Sequence, residues 1–184
     1  MTEPRRPARS RSADFSLGFI PRLKTFKNVR TLGLDMVNTT GLSQPNIAVH
    51  FPGGLTSLEI CSSLLEISTF IALFSSLPTL LEFHARRITL SGPAVIPTKP
   101  ISESLRVLDV KTIDPYRTIA ERDMVLPLFA THPVAYQELH FAGECTIEHI
   151  LSLISASTET LESLSLPALT EGTHAPDGFI LSTP

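Results

Sequence analysis

Five polar residues recur at one place in a repeating pattern. Glu59, His84, Asp109, His140 and Ser165 stand 25, 25, 31 and 25 residues apart. Asp109, His140 and Ser165 are the residue types of an acid–base–nucleophile triad, in which an imidazole takes the hydroxyl proton and a carboxylate orients the ring. Glu59, His84, Asp109 and His140 are by type ligands for a divalent metal. Glu82 and Glu138 flank the row two residues before it, and Arg86 and Lys111 two residues after. Either chemistry needs these groups to converge on a point, so the elements that carry them decide which is attainable.

Those elements are six hexapeptides: "VRTLGL" from Val29, "LTSLEI" from Leu55, "LLEFHA" from Leu80, "LRVLDV" from Leu105, "YQELHF" from Tyr136 and "LESLSL" from Leu161. Their starts lie 26, 25, 25, 31 and 25 residues apart. A period of this length marks stacked repeat units of one strand and one return segment each. Successive side chains of a strand point to opposite faces. The apolar residues at positions four and six therefore face a shared core, and positions three, five and seven face outward. Parallel strands lie ~4.8 Å apart, so the five polar residues form a line rather than a cluster. An open strand face also lacks an oxyanion hole and a water-excluding pocket. The expectation is no catalysis, no metal and no cofactor. Cross-strand pairs worth ~0.2–1 kcal/mol each should instead make a polar binding surface, with a hydrolase-like site at Asp109, His140 and Ser165 as the alternative.

The return segments differ. Ile67, Phe70, Ile71, Phe74 and Leu77 make a helical apolar stripe that Pro78 should end. Thr146 is a candidate N-cap for a helix bearing Ile147, Ile150, Leu151 and Ile154. That helix would place Cys145 and His149 one turn apart. Asp114-Pro115 reads as a helix start, with Pro127 expected to interrupt or restart the helix. "ITLSGPAVIPTKPISES" holds three prolines and should cross back extended. A seventh strand would begin near 186, so the last strand is expected to leave an exposed edge. That points to a fragment of a longer protein, one without independent function, or to a chain that needs a partner.

Composition narrows the classes further. The 184 residues are 42% hydrophobic with mean hydropathy +0.18, suited to one folded domain. Two cysteines make no disulfide framework, so a reducing compartment, cytoplasmic or nuclear, is expected. No run suits a membrane span. Residues 1–30 hold eight Lys or Arg against Glu3 and Asp14, a net of +6, which leaves −9 for the rest of a chain whose total is −3. Residues 1–15 are read as a flexible basic tail, 16–170 as the repeats and 171–184 as an irregular or truncated carboxyl end. No aromatic interleaving accompanies the basic residues, so a nucleic-acid partner is not expected.

The repeat resembles the leucine-rich repeat family over residues 16–170. The Asn or Cys usual in that family after the last leucine is replaced by Val37, Ser63, Ile88, Ile113, Glu144 and Leu169. The resemblance implies an α/β solenoid of about six strand–helix units with a parallel concave sheet. "SLGFIPRLKTFKNVRTLGL" and "FIALFSSLPTLLEF" are similar to the degenerate repeats of fungal F-box proteins. In that family the repeats hold the protein to be ubiquitinated, while an F-box docks to the ligase adaptor. Residues 1–15 are too short and polar for an F-box. The resemblance therefore implies the substrate-holding half, with an adaptor as partner only if an F-box lies outside this chain. The partner-binding residues read from the face are Glu59, Glu82, His84, Arg86, Asp109, Lys111, Glu138 and His140. Changing Glu82, Asp109 and Glu138 to Lys should abolish capture without unfolding. Binding through the histidines of this face should vary between about pH 6 and 8.

Overall fold

The computed structural model describes residues 28–38, 51, 54–93, 95–111, 125–143, 145–167 and 180–182. The proposed tail at 1–15, the helix start at Asp114-Pro115 and most of 171–184 lie outside them. All six hexapeptides become strands: β1 (Thr31–Asp35), β2 (Ser57–Cys61), β4 (Glu82–Arg86), β6 (Val107–Lys111), β7 (Glu138–Ala142) and β8 (Ser163–Ser165). Each begins at position three of its motif. They pair in parallel in the order β1-β2-β4-β6-β7-β8, so the fold is α/β with a mostly parallel sheet. The sheet does not curl, which corrects the concave face expected from the repeat. Curvature arises from a regular rotation between units. Here the described helices are only 6 to 10 residues long, and the third unit returns without one.

Burial follows the predicted alternation. Leu58, Ile60, Phe83, Ala85, Leu108, Val110, Leu139 and Phe141, all at positions four and six, are buried. At the first and last parallel strands the same positions are only half-buried, at Leu32, Leu34 and Leu164. Helices α1 (Ile67–Ser75), α2 (Val125–Ala130) and α3 (Ile147–Ala156) supply the other side of the core. Phe70 and Phe74 of α1 meet Phe83 of β4 and Phe129 of α2, with all six ring pairs between 4.8 and 6.3 Å. Phe83 is the one non-leucine at position four, and its larger ring joins the two helices.

Polar contacts repeat with the same period. The carbonyl at position two of each unit accepts from two consecutive N–H groups of the next. Arg30 O accepts from Thr56 and Ser57, Thr56 O from Leu81 and Glu82, and Leu81 O from Arg106 and Val107. Arg106 O and Gln137 O continue the series, at 2.7–3.1 Å throughout. One residue before the motif, a hydroxyl ties neighbouring units together. Thr79 donates to Leu55 O, Ser104 to Leu80 O and Thr160 to Tyr136 O, at 2.7–2.9 Å. One residue after four of the five-residue strands, β1, β2, β4 and β7, the chain turns with positive φ, at Met36, Ser62, Arg87 and Gly143. The N–H groups of the first three donate to the carbonyl that ends the next strand, so the ladder runs one step past the strand.

Several local expectations change. β3 (Leu64–Glu66) and β5 (Thr89–Ser91) form a second, two-stranded parallel sheet behind the turns. Glu66 closes β3 and is also the N-cap of α1, which stops before Pro78 as anticipated. The proline-rich return carries β5 and no helix. Pro127 lies within α2 and does not interrupt it among the described residues. Thr146 is the N-cap of α3, but its hydroxyl makes no capping bond. Cys145 precedes that helix, so it does not share a helical face with His149. At the far edge β9 (Ile180–Ser182) pairs antiparallel with β8. The edge of β8 expected to be exposed is therefore covered, and not by a further parallel unit.

Phe83→Ala should cost about 3–5 kcal/mol by removing a ring from the four-phenylalanine cluster, read as a shift of the urea unfolding midpoint. Gly143→Ala should cost about 1–2 kcal/mol, because Gly143 has φ 89°. Equal stability of Gly143→Ala and the parent would show that the turn relaxes freely.

Candidate functional site

Strand register places the predicted residues side by side. Position five runs Gly33, Glu59, His84, Asp109, His140, Ser165 across neighbouring strands. Position three runs Thr31, Ser57, Glu82, Val107, Glu138, Ser163, and position seven runs Asp35, Cys61, Arg86, Lys111, Ala142. All eight residues expected at a partner surface therefore share one sheet face. Seven of their side chains are 28–49% exposed. Asp109 is the exception, with its side chain 9% exposed, which corrects the expectation of a fully solvated row.

Contacts link these groups into three sets. Asp109 Oδ2 accepts from His84 Nδ1 on the neighbouring strand and from Lys111 Nζ on its own, each at 3.2 Å. Glu82 lies 4.0 Å from the far nitrogen of the same imidazole. Glu59 accepts from Arg86 Nε at 3.1 Å and from the Cys61 thiol at 3.6 Å. His140 Nε2 donates to Glu138 at 3.1 Å. Asp109 Oδ1 is buried and accepts no hydrogen bond among the described residues.

These contacts set the protonation of the face. The hydrogen bond to Asp109 raises His84 above the ordinary histidine range, against the opposing effect of burial, with the charges of Asp109, Glu82 and Glu59 assisting. Burial pushes Asp109 upward, but the hydrogen bonds from His84 and Lys111 prevail and hold it below the usual carboxylate range. Burial, then the charge and hydrogen bond of Glu59, push the Cys61 thiol up, away from thiolate chemistry.

The triad geometry is not assembled. Asp109 turns to His84 and Lys111, and His140 turns to Glu138, so the imidazole is oriented toward neither Asp109 nor Ser165. Among the described residues no three His, Cys, Asp or Glu side chains are placed to share a metal ion. An open groove of about 470 Å³ lies between the end of α1 and segment 99–104, lined by Phe74, Pro78, Lys99 and Glu103, and it shares no residue with the strand face. Two features escaped the sequence. The burial of Asp109 was signalled only by Val107, the one apolar residue among the charged flanks of position three. The hydroxyl ladder was signalled by Thr79, Ser104 and Thr160 directly ahead of three motifs. No helix among the described residues is long and apolar enough to cross a membrane. No protein-family model, curated protein or solved structure matches the chain.

A raised histidine contributes stability that is complete below its unfolded value of about 6.5 and is lost as pH climbs through the folded value. Urea midpoints should therefore decline above pH ~6.5 in the parent, and His84→Gln should flatten that decline. The depressed carboxyl works in the opposite sense: its contribution is present above about 3.8 and disappears as pH falls through the lower folded value. Parallel pH profiles for parent and His84→Gln would show that the His84–Asp109 bond does not contribute.

Proposed function

We propose that the chain is a degenerate leucine-rich-repeat solenoid that holds a protein partner on its open strand face, in the manner of the substrate-gripping half of an F-box protein. The observation that carries this reading is the in-register array of ionisable side chains on a face most of which stays half-exposed. A parallel sheet ordinarily has both faces covered and near-continuous apolar strands. Here one face is apolar and packed, while the other displays paired charges at fixed spacing. Such an array confers specificity, because a partner must match its signs in two dimensions. Extended repeat surfaces suit a folded or extended protein ligand better than a small molecule. The pairing of Asp109 with His84 and Lys111 makes that residue part of the fold as well as of the face. Glu82 and Glu138 are the ones to alter in a binding test.

Tagged chain is used to recover partners, with ligase adaptor subunits scored among the proteins identified. Glu82→Lys/Glu138→Lys should lower recovery of specific partners at least tenfold with an unchanged circular dichroism spectrum. Glu148→Lys/Glu159→Lys, exposed on and just beyond α3, should leave recovery intact. Equal recovery by both double variants would remove the strand face from the interaction.

A further inference from the structure

The strand face is charged unevenly. Its positions three, five and seven carry five acids, Asp35, Glu59, Glu82, Asp109 and Glu138, against Arg86 and Lys111. Both cations are already engaged, by Glu59 and Asp109. Glu82 and Glu138 are left at the leading edge of the strands, 49% and 45% exposed, with only imidazoles as partners. They sit two strands apart, about 9.6 Å at ~4.8 Å per strand. Between them stands Val107, which competes for neither.

The same chain contains a complementary segment. Residues 1–30 carry a net of +6, concentrated early in "RRPARSR" at 5–11. Arg6 and Arg9 bracket Pro7. Residues three apart can span up to ~10 Å of chain, enough to match the Glu82–Glu138 separation. The chain runs into β1 through Val29 and Arg30, at the same leading edge. Sixteen residues separate Arg11 from Asn28, an extended reach of up to ~50 Å. β7 stands four strands from β1, only about 19 Å away.

We propose that the arginine-rich segment 5–11 docks on the leading edge of its own strand face, with Arg6 and Arg9 on Glu82 and Glu138. The contact rests on the charge pattern alone and holds whether or not a partner protein uses the face. Where a partner does, the segment competes with it and favours ligands that carry a comparable pair of cations. Exposed ion pairs are individually weak, so the docked state exchanges rapidly and yields to salt.

The test is paramagnetic relaxation in the full chain, with a nitroxide on Ser10→Cys in a Cys61→Ser/Cys145→Ser background. At low ionic strength the amides of Glu82, Val107 and Glu138 should broaden. The broadening should vanish near 0.5 M salt, where screening is nearly complete at that range. It should also vanish in Glu82→Lys/Glu138→Lys and return when Arg6→Glu/Arg9→Glu is added. The salt series leaves Glu82 and Glu138 unaltered, so that result does not depend on how the charge-reversal variants fold. Absence of broadening at those three amides, or broadening indifferent to salt and charge reversal, overturns the proposal. Broadening that grows with chain concentration also overturns it, in favour of a second copy as occupant. A pull-down insensitive to the face variants would sink the partner reading while leaving this contact standing.

Discussion

Stacking in register is the constraint from which the remaining structure follows. Each unit offers the next one a carbonyl at position two that receives two N–H groups. A shift by one residue would break this bond pair and turn every leucine outward at once, since side chains alternate with period two. The hydroxyls of Thr79, Ser104 and Thr160 reinforce the same register from the side. Core and charged face are thus two consequences of one alignment. Burying positions four and six fixes where the ionisable side chains stand.

Within the face, Asp109 joins stability to surface chemistry. Its carboxylate is nearly excluded from water, and its two donors come from different places, His84 across the strands and Lys111 along its own strand. A buried carboxylate retains its charge only when hydrogen bonds and opposite charge offset the loss of hydration. The array therefore has a rigid centre, with Glu59–Arg86 and Glu138–His140 on either side in wetter surroundings. Anything that docks meets a fixed charge pattern in the middle and adaptable side chains at its margins.

The strand pattern was legible from the sequence because it depends on a two-residue alternation and a repeat near 25, both visible in leucine spacing. All six strands and their register follow from it, and so does the row of eight charged or imidazole residues. The return segments were less legible. Proline inside α2 and the short strands β3 and β5 depend on neighbouring units rather than on local pattern. The positive-φ turns at Met36, Ser62 and Arg87 lack the glycine that would have announced them. The pairing within the row was also beyond reach, since alternation places a side chain on a face but does not choose its partner. Asp109 had His84 and His140 equally adjacent, and it is bonded to His84.

The 31-residue interval between β6 and β7 has a consequence for how this protein can vary. Despite six residues more than its neighbours, that unit delivers Glu138–Ala142 into register with Val107–Lys111 without a bulge. The longer connection leaves the strand register unchanged. The molecule thus behaves as a pegboard whose holes stay fixed while the length of chain between them varies. A longer connection need not move a single peg, and a new arrangement of pegs requires only side-chain replacement on an unchanged backbone.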